Sequence, residues 1–496
     1  MESSFEMLIE LVVVMGWLGG ITILFLSILF FQDIRQKKHA ILRNFPVVGR
    51  IRYFLEKQGA YFRQYFFAHD RQELPFNRAT RNWVYRAAKN QGDLVGFGST
   101  NDLREPGSII FINSPYPILE SEHCPVPPLV IGPKCERPMT VCNLVNISAM
   151  SYGALSAPAI RALSRGAAKA GVWLNTGEGG LSPYHLEGGC DLIFQIGTAK
   201  YGVRDQDGNL SSQRLREVAE SVKAFEIKIS QGAKPGHGGV LPGCKVSEEV
   251  ARIRGIPIGQ SSLSPNRHAE IHTPDDLLDM IEHIRGITGL PVGIKTVVSS
   301  RYFPEMLCEA ILKRGTDSAP DFISIDGGDG GSGAAPQVLA DHVGLPLTES
   351  LPILVDTLIE AGLRKRIRVN ASGKLVTSAK VAWALCMGAD LVATARGFMF
   401  SLGCIQAQQC HLDTCPTGVT TQNPRLQKGL DVEDKAERVA NYAMWINQEV
   451  NTLAHSCGLL NAAQFQREHA RIVQSAGHSL PLDAIYPYPQ EHNIRR

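Results

Sequence analysis

Residues 144–175 read LVNISAMSYGALSAPAIRALSRGAAKAGVWLN and contain a strand, a helix and a second strand in succession. The short β-branched runs at 144–148 and 172–175 are typical of strands, and the longer pattern at Ala157–Ala170 is typical of a helix. Alternation of this kind predicts two parallel strands in one sheet, because parallel strands need a crossover connection between them.

The same alternation continues to residue 395. It gives eight predicted strands, at 144–148, 172–175, 192–196, 225–230, 292–298, 322–326, 367–371 and 391–395. Helical patterns lie between most of them, at Ala157–Ala170, Pro274–Ile287, Pro304–Arg314, Thr348–Ala361 and Thr377–Met387. Eight strands with this rhythm predict an α/β fold, a (β/α)8 TIM barrel, with a doubly wound sheet as the alternative.

An uncharged run, LVVVMGWLGGITILFLSILFF, occupies residues 11–31. At about 1.5 Å per residue it is long enough to span the roughly 30 Å hydrocarbon core of a bilayer. The flank before it is acidic and the flank after it is basic, which places the following chain in the cytoplasm. We therefore predict a single-pass transmembrane helix at 8–31 in the cell (inner) membrane. The alternative is a buried helix of a soluble protein.

Three further segments complete the predicted organisation. A linker and a small N-terminal cap occupy 32–125, the barrel occupies 126–465, and a C-terminal tail occupies 466–496. Residues 36–100 are basic and aromatic. We expect their aromatic side chains to pack on the main domain rather than on a membrane surface.

The overall composition excludes some classes of function. Lys and Arg number 50 against 48 Asp and Glu, and this balance gives no support for nucleic-acid binding. The eleven cysteines are predicted to be reduced, as in the cytoplasm, rather than paired in disulfides.

Cys404, Cys410 and Cys415 lie close together in CIQAQQCHLDTC. Their C-x5-C-x4-C spacing fits neither the paired C-x2-C of zinc ribbons nor the ferredoxin motif. The adjacent His411 follows Cys410 directly and is poorly placed as a fourth zinc ligand. Three thiolates suit an iron–sulfur cluster with three protein ligands. The alternative is a set of free or buried cysteines.

The polar residues cluster where a barrel would place an active site, just past the carboxyl ends of the strands. Lys295 interrupts the apolar strand VGIKTVV, so it must face a site or an ion-pair partner such as Asp326. A cation at that position would stabilise an anionic reduced flavin. The loops carrying Ser372-Gly373 and Arg396-Gly397 suit a phosphate, or are plain turns.

Two cations and an amide, at Lys228, Gln231 and Lys234, can grip a dicarboxylate. Arg267 is expected to join them. Glu178, in NTGEGG, can hold a substrate ammonium or shuttle a proton, or it caps the next helix. The glycine-rich run that begins at Asp326 lacks the P-loop ending and suits tight packing around a cofactor.

Five motifs together closely resemble the FMN-binding synthase domain of glutamate synthase, in the same order over about residues 130 to 460. They are SAMSYGALSAPAIRALSRGAAKAG, NTGEGG, KISQGAKPGHGGVLPGCKV, IDGGDGGSGAAP and GCIQAQQCHLDTCPTGVTTQNP. The resemblance implies a barrel that carries FMN and a [3Fe-4S] cluster, and that reduces the imine of 2-oxoglutarate and ammonia to L-glutamate.

By that resemblance Cys404, Cys410 and Cys415 are the cluster ligands, and Glu178, Lys228, Gln231 and Lys234 form the catalytic 2-oxo acid site. The FMN-binding residues are predicted as Met150, Ser151, Lys295, Asp326, Gly327, Gly328, Ser372, Gly373, Arg396 and Gly397. Ferredoxin or a separate NAD(P)H-oxidising subunit is the expected electron donor. A separate glutaminase can supply the ammonia.

The chain also departs from that family. No glutaminase domain with an N-terminal cysteine precedes the barrel. The segment 266–270 reads NRHAE where the family usually has two adjacent histidines and an aspartate. Two alternatives therefore stay open. One is a related synthase that uses another amine or 2-oxo acid, such as one forming N-methylglutamate. The other is a membrane electron-transfer module without substrate turnover.

Overall fold

The computed structural model describes residues 2–92 and 94–490. The chain divides into two compact units between Thr80 and Arg81. Positions 491–496 of the predicted tail, and position 93 of the predicted cap, lie outside the described residues.

The first unit is helical. Its elements are α1 (Glu2–Arg35), α2 (Ala40–Asn44), α3 (Gly49–Phe62) and a π-helical turn at Arg63–Phe67, and the next helix is α4 (Arg78–Ala88). Within α1, the stretch Phe5–Arg35 has the length and apolar composition needed to cross a membrane. Its most apolar 18 residues are not buried against the rest of the protein.

Several aromatic side chains that follow α1 in the first unit are exposed. Phe54 is 60% exposed, Phe62 47% and Phe66 74%. Within the second unit the expected packing is present, since the ring of Trp83 lies 5.9 Å from that of Tyr442 and the ring of Tyr85 lies 6.1 Å from that of Phe400. For Phe54, Phe62 and Phe66, packing on the main domain stays a prediction.

The second unit is built around a closed barrel of eight parallel strands. The barrel strands are β4 (Val145–Ile147), β5 (Leu174–Asn175), β6 (Leu192–Ile196), β7 (Ala224–Lys228), β10 (Val292–Thr296), β11 (Phe322–Asp326), β12 (Arg368–Ser372) and β13 (Leu391–Thr394). Pairing of Thr394 beside Ile147 closes the barrel between its last and first strands. The predicted barrel is confirmed, and closure excludes the doubly wound sheet.

Outside the barrel, the remaining strands form small antiparallel sheets. They are β1 (Ile109–Phe111), β2 (Leu129–Ile131), β3 (Met139–Val141), β8 (Val240–Leu241), β9 (Ser262–Leu263), β14 (Ala470–Ser475) and β15 (His478–Pro481). β1 pairs with β14, so the predicted cap and tail contribute to one sheet. The predicted domain boundaries themselves stay predictions.

Helices surround the barrel and extend the loops at its mouth. They are α5 (Ala157–Ala170), α6 (Pro183–Leu186), α7 (Ser212–Ala219), α8 (Glu248–Arg254), α9 (Pro274–Thr288), α10 (Tyr302–Arg314), α11 (Gln337–His342), α12 (Leu347–Glu360), α13 (Ser378–Cys386), α14 (Arg396–Ser401), α15 (Pro424–Gln427), α16 (Val432–Ser456) and α17 (Leu482–Ile485). The five predicted helices match α5, α9, α10, α12 and α13 to within two residues at either end.

Two predicted strands extend two residues beyond the observed β7 and β10. The reason is local. The backbone N–H of Val297 donates to the hydroxyl of Ser230 at 2.8 Å instead of continuing the ladder. The chain therefore leaves the sheet at this point and opens the barrel mouth.

The barrel interior is layered, because side chains two positions apart on a strand point to the same side. The lowest layer is apolar and packs against the β2–β3 hairpin, with members Trp173, Ile193, Ala224, Phe322 and Leu391. The next layer is polar, with Asn175, Gln195, Glu226, Ser324 and Asn370. The uppermost layer holds Ser148, Lys228, Lys295, Asp326 and Ser372, and it faces the mouth. All of the side chains in these two upper layers are buried.

The long helix α16 packs tightly on α5. A Cβ added to Gly166 of α5 would lie 2.5 Å from Val439 and 2.6 Å from the carbonyl oxygen of Ala436. The absence of a side chain at Gly166 therefore sets the distance between the two helices.

We expect Gly166→Ala to lower the free energy of unfolding by about 1–3 kcal/mol, since it forces an overpacked contact. The matched control is Gly286→Ala in α9, where a Cβ meets nothing within 4 Å. That change should be neutral or stabilise by up to about 1 kcal/mol through helix propensity. Urea unfolding of the purified protein measures both. Equal effects of the two substitutions would contradict the packing argument.

Candidate functional site

The site is built at the barrel mouth from an ion pair. The carboxylate of Glu178, in the loop after β5, lies 2.8 Å from Nζ of Lys228 at the end of β7. Lys228 also donates to the side-chain oxygen of Gln231. A Cβ on Gly239 would lie 2.6 Å from Oε1 of Glu178, so a side chain at this position would displace the carboxylate. The predicted grouping of Glu178, Lys228 and Gln231 is present.

Two more cations face the same carboxylate. Lys234 is buried, and burial lowers its pKa to about 8 although Glu178 opposes the shift. Arg254 is also buried, at the end of α8, and donates to the carbonyl oxygen of Tyr152 at 3.1 Å. Burial would raise the pKa of Glu178, but Lys228, Lys234 and Arg254 outweigh it and lower that pKa to about 2. Three cations therefore surround one permanently ionised carboxylate.

Arg254 was missed by the sequence analysis, and Arg267 was wrongly expected at the site. Arg254 lies in a helix of the insert, and no local pattern distinguishes it from a solvated arginine. The guanidinium of Arg267 donates to the carbonyl oxygens of His268 and Ile271, so it supports its own loop. Glu270 pairs with Lys200 at 2.9 Å.

His268 supports the floor of this site. Its Nε2 lies 3.0 Å from the carbonyl oxygen of Lys228, so Nε2 carries the proton and Nδ1 is left as an acceptor. Nδ1 is buried and has no partner among the described residues. Burial lowers the pKa of the imidazole, which keeps it neutral.

Lys295 and Asp326 form the second part of the mouth. Nζ of Lys295 lies 3.7 Å from the carboxylate of Asp326, and that carboxylate accepts from the backbone N–H of Gly232 at 2.8 Å. The predicted ion pair is therefore present at the mouth. A Cβ on Gly232 would lie 2.0 Å from the carbonyl oxygen of Gly327, so the two glycine-rich loops pack backbone against backbone.

A polar pocket inside the barrel continues downward from Lys295. Its lining includes Ser148, Asn175, Glu226, Ser324, Asn370 and Ser372. Glu226 accepts from the amides of Asn175 at 2.8 Å and Gln195 at 2.7 Å. Asn370 donates to Ser324 at 2.9 Å, and its buried Oδ1 has no partner among the described residues.

Five of the six polar pocket residues named above, all but Ser372, were missed, and so was Gln195, which donates to Glu226, although a signal was available. Gln195 in LIFQI and Glu226 in FEIKI are polar residues inside apolar strands, as Lys295 is. Asn370 and Ser324 occupy the equivalent register in their own strands. Each of them is a buried polar side chain on a barrel strand, as Lys295 is.

The remaining predicted cofactor residues lie around the same rim. Met150 is buried, with its N–H bonded to Asn175 at 3.0 Å and its carbonyl oxygen to Nε2 of His185 at 2.8 Å. Ser151 packs on Gly177, where a Cβ would lie 2.7 Å from the nitrogen of Ser151.

Gly373 and Gly397, both predicted to bind the FMN phosphate, have different structural environments. Gly373 has a φ of 134°, and a Cβ there would lie 3.1 Å from the nitrogen of Gly327, so a larger residue would be strained at this position. Gly397 packs on Tyr442, since a Cβ there would lie 2.1 Å from the phenolic oxygen. Gly397 is thus explained by helix packing. Arg396 donates to the carbonyl oxygen of Asp329 at 3.2 Å, close to the glycine-rich loop that contains Gly328.

The three clustered cysteines share one loop, between α14 and α15. Nζ of Lys245 joins this loop to the mouth, since it lies 3.2 Å from the carbonyl oxygen of Cys410 and 2.5 Å from that of Ala154. Tyr85 donates to the carbonyl oxygen of Cys404 at 2.6 Å. All eleven cysteines are free. No three metal-ligating side chains converge on one ion position anywhere in residues 2–92 and 94–490.

The thiols of this loop differ in acidity. Burial raises the pKa of Cys404 to about 12. For Cys415 burial acts in the same direction, but hydrogen bonds from Thr417 and Thr420 outweigh it and lower the pKa.

Comparison with known proteins places the chain in a family. A conserved region in glutamate synthase matches residues 111–460. The glutamate synthase large subunit-like protein YerD of Bacillus subtilis (strain 168) is 42% identical over 509 residues, covering 94% of this chain and 96% of that protein. The archaeal-type glutamate synthase (NADPH) of Thermotoga maritima is 36% identical over 348 residues, covering 69% of this chain and 65% of that protein.

Among solved structures, the flavin-binding domain of baker's yeast flavocytochrome b2 matches with a TM-score of 0.44 and 14% identity, over 84% of this chain and 85% of that one. That match is too weak to support a statement about function. The sequence relatives carry the assignment: the chain belongs to the glutamate synthase family and is an oxidoreductase.

Proposed function

We propose that this protein binds FMN and reduces the imine of a 2-oxo acid and ammonia, with 2-oxoglutarate as the acid and L-glutamate as the product. One observation carries the proposal. Lys228, Lys234 and Arg254 converge on Glu178 at the barrel mouth, beside the pocket of Lys295.

The cations supply the substrate specificity. Three buried positive charges and one negative charge leave the mouth electropositive, which suits a substrate with two carboxylates. The side-chain amide of Gln231 adds a donor that distinguishes a carboxylate from an apolar group. The ion pair already made by Glu178 orients Nζ of Lys228 before substrate arrives.

Glu178 and Lys234 have different roles with respect to protons. A carboxyl with a pKa of about 2 stays ionised at neutral pH, so Glu178 holds an ammonium or iminium group and does not act as an acid. Lys234, with a pKa of about 8, can release and take up a proton near physiological pH.

The described residues suit FMN at the mouth and pocket. Lys295 offers a cation, Asn370 an unpaired buried acceptor, and Gly327 and Gly373 a surface that a side chain would block. Ser372 and Arg396 would hold the phosphate. When bound, FMN supplies the hydride donor, and the polypeptide orients it over the substrate.

We further propose a [3Fe-4S] cluster on Cys404, Cys410 and Cys415. A cluster spreads its ligands over several irons, so the thiols need not converge as they would around one ion. The nearby cation of Lys245 favours deprotonated thiols. Ferredoxin or a separate NAD(P)H-oxidising subunit would deliver electrons, and ammonia enters free or from a separate glutaminase.

We also propose that α1 spans the cell membrane once, with the barrel in the cytoplasm. The support is the apolar length of Phe5–Arg35 and the basic residues that follow it. A photoreactive side chain in place of Ile23, within this helix, tests the span by cross-linking to phospholipid.

A second candidate keeps the chemistry but changes the substrate to another amine, such as methylamine, or another 2-oxo acid. The loop at 266–270 favours it, because it reads NRHAE where the family usually has two adjacent histidines and an aspartate, and because Arg267 turns back on its own loop.

The function is tested by reducing the purified protein chemically and following flavin absorbance as substrates are added. We expect reoxidation with 2-oxoglutarate plus ammonium. Lys228→Met should raise the 2-oxo acid concentration required by roughly 10- to 100-fold, the value of a charge-assisted hydrogen bond. Lys134→Met, which removes an exposed cation remote from the mouth, is the control. Reoxidation only by methylamine or by another acid selects the second candidate. Absence of flavin, or electron transfer that ignores every substrate, refutes both.

The pKa of Lys234 predicts how KM for the 2-oxo acid depends on pH. Its cationic fraction falls as the pH rises through about 8, so KM for the 2-oxo acid should rise above that pH. Lys234→Arg keeps the cation and should flatten this rise, while Glu178 stays ionised. A KM profile that the arginine variant leaves unchanged would assign the ionisation to another group.

The cysteine loop is tested by serine substitution. Cys404→Ser, Cys410→Ser or Cys415→Ser should each remove or convert the iron–sulfur EPR signal, because the cluster loses a ligand. Cys142→Ser, at an exposed cysteine outside the loop, should leave the spectrum intact. Flavin reduction by the natural donor that survives any of the three changes would show that the loop does not carry electrons.

A further inference from the structure

The helix that follows the proposed membrane span has an exposed apolar face. Within and just before α3, the residues Val48, Ile51, Phe54, Leu55 and Phe62 recur at helical spacing along one side. They are 67%, 58%, 60%, 55% and 47% exposed, respectively. An exposed stripe of this size is unusual on a soluble surface and indicates an interaction site.

The stripe continues into the π-helical turn. Phe66 and Phe67 are each 74% exposed and Tyr65 is 49% exposed, and the ring of Phe66 lies 5.8 Å from that of Phe62. Aromatic side chains with one polar or basic neighbour are typical of the boundary between headgroups and acyl chains.

The charge of this segment is strongly positive. Between residues 35 and 67 the only acidic residue is Glu56, against eight basic residues: Arg35, Lys37, Lys38, Arg43, Arg50, Arg52, Lys57 and Arg63. Within α3, Arg52 and Lys57 lie on the flanks of the stripe, so they can reach headgroups while the apolar side chains lie deeper.

A buried junction fixes α3 to the end of α1. The carboxylate of Asp33 has 1% of its side chain exposed and pairs with the guanidinium of Arg50 at 2.7 Å. It also accepts from the backbone N–H of Val47 at 2.9 Å. Because Asp33 lies two residues before the end of the apolar helix, the junction holds the start of α3 where that helix would leave the bilayer.

We propose that α3 and the Arg63–Phe67 turn lie in the plane of the cytoplasmic membrane surface, with their apolar face among the lipids and their basic flanks on anionic headgroups. The proposal rests on the membrane location proposed for α1. The occupant is a bilayer rather than a protein, because the pair of Asp33 and Arg50 ties α3 to the end of the span and the segment carries an excess of basic charge.

The test uses a photoreactive phenylalanine, benzoylphenylalanine, in the full chain within native membranes. Phe54→benzoylphenylalanine probes the apolar face, and Tyr53→benzoylphenylalanine is the matched aromatic control on the opposite face, where Tyr53 contacts the ring of His39 at 5.0 Å. Ile23→benzoylphenylalanine probes α1 itself. Illumination should give phospholipid adducts at positions 23 and 54 and none above background at position 53.

The other outcomes are distinct. Lipid adducts at 23 but not at 54 leave the span in place and overturn the in-plane helix. Protein adducts at 54, including those to a second copy of the chain, assign the stripe to a protein partner and overturn the proposal. Equal lipid adducts at 53 and 54 overturn the in-plane orientation. No lipid adduct at 23 or 54 refutes the membrane location and the in-plane helix together.

Discussion

Closure of the barrel between β13 and β4 is the constraint on which the site depends. Once eight parallel strands form a ring, every second side chain must point toward one narrow axis. An apolar layer of Trp173 and Phe322 fills the lower end. Polar and charged side chains then occupy successive layers above it, and the loops at the carboxyl ends cover them.

Because closure of the barrel buries the charged layer, that layer carries a cost in desolvation free energy. A charge withdrawn from water costs several kcal/mol unless it is paired and hydrogen-bonded. Lys228 is compensated by Glu178, and Lys295 by Asp326. Asp326 is bonded in turn to the backbone of Gly232. Lys234 and Arg254 are not fully compensated, and the protein accommodates this through the lowered pKa of Lys234. The uncompensated charge is what a dianionic substrate would neutralise.

The barrel could be read from the sequence because each strand is a short apolar run followed by a helix. Lys295 could be placed at the barrel mouth from the sequence, because a single charged residue inside an otherwise apolar strand must face a site or an ion-pair partner. Arg254 could not be found in this way, since it reaches the mouth only through the folding of the insert that carries α8. The segment around Phe54 shows a different limit. Aromatic content indicates burial, but it does not say whether protein or lipid provides the apolar surroundings.

Lys245 connects the cysteine loop to the barrel mouth, and this connection restricts how the two can move. Its buried ammonium bonds the carbonyl oxygen of Ala154, in the loop after β4, and that of Cys410. Neither carbonyl can shift without breaking a charge-assisted bond. Tyr85, in α4, donates to the carbonyl oxygen of Cys404. The backbone of the loop is therefore held at Cys404 by Tyr85 and at Cys410 by Lys245. Electron transfer benefits from a fixed distance between the cysteine loop and the barrel mouth. A loop with a purely structural role would not need that distance to be fixed. The tethering therefore favours a role for the loop in delivering electrons to the barrel mouth.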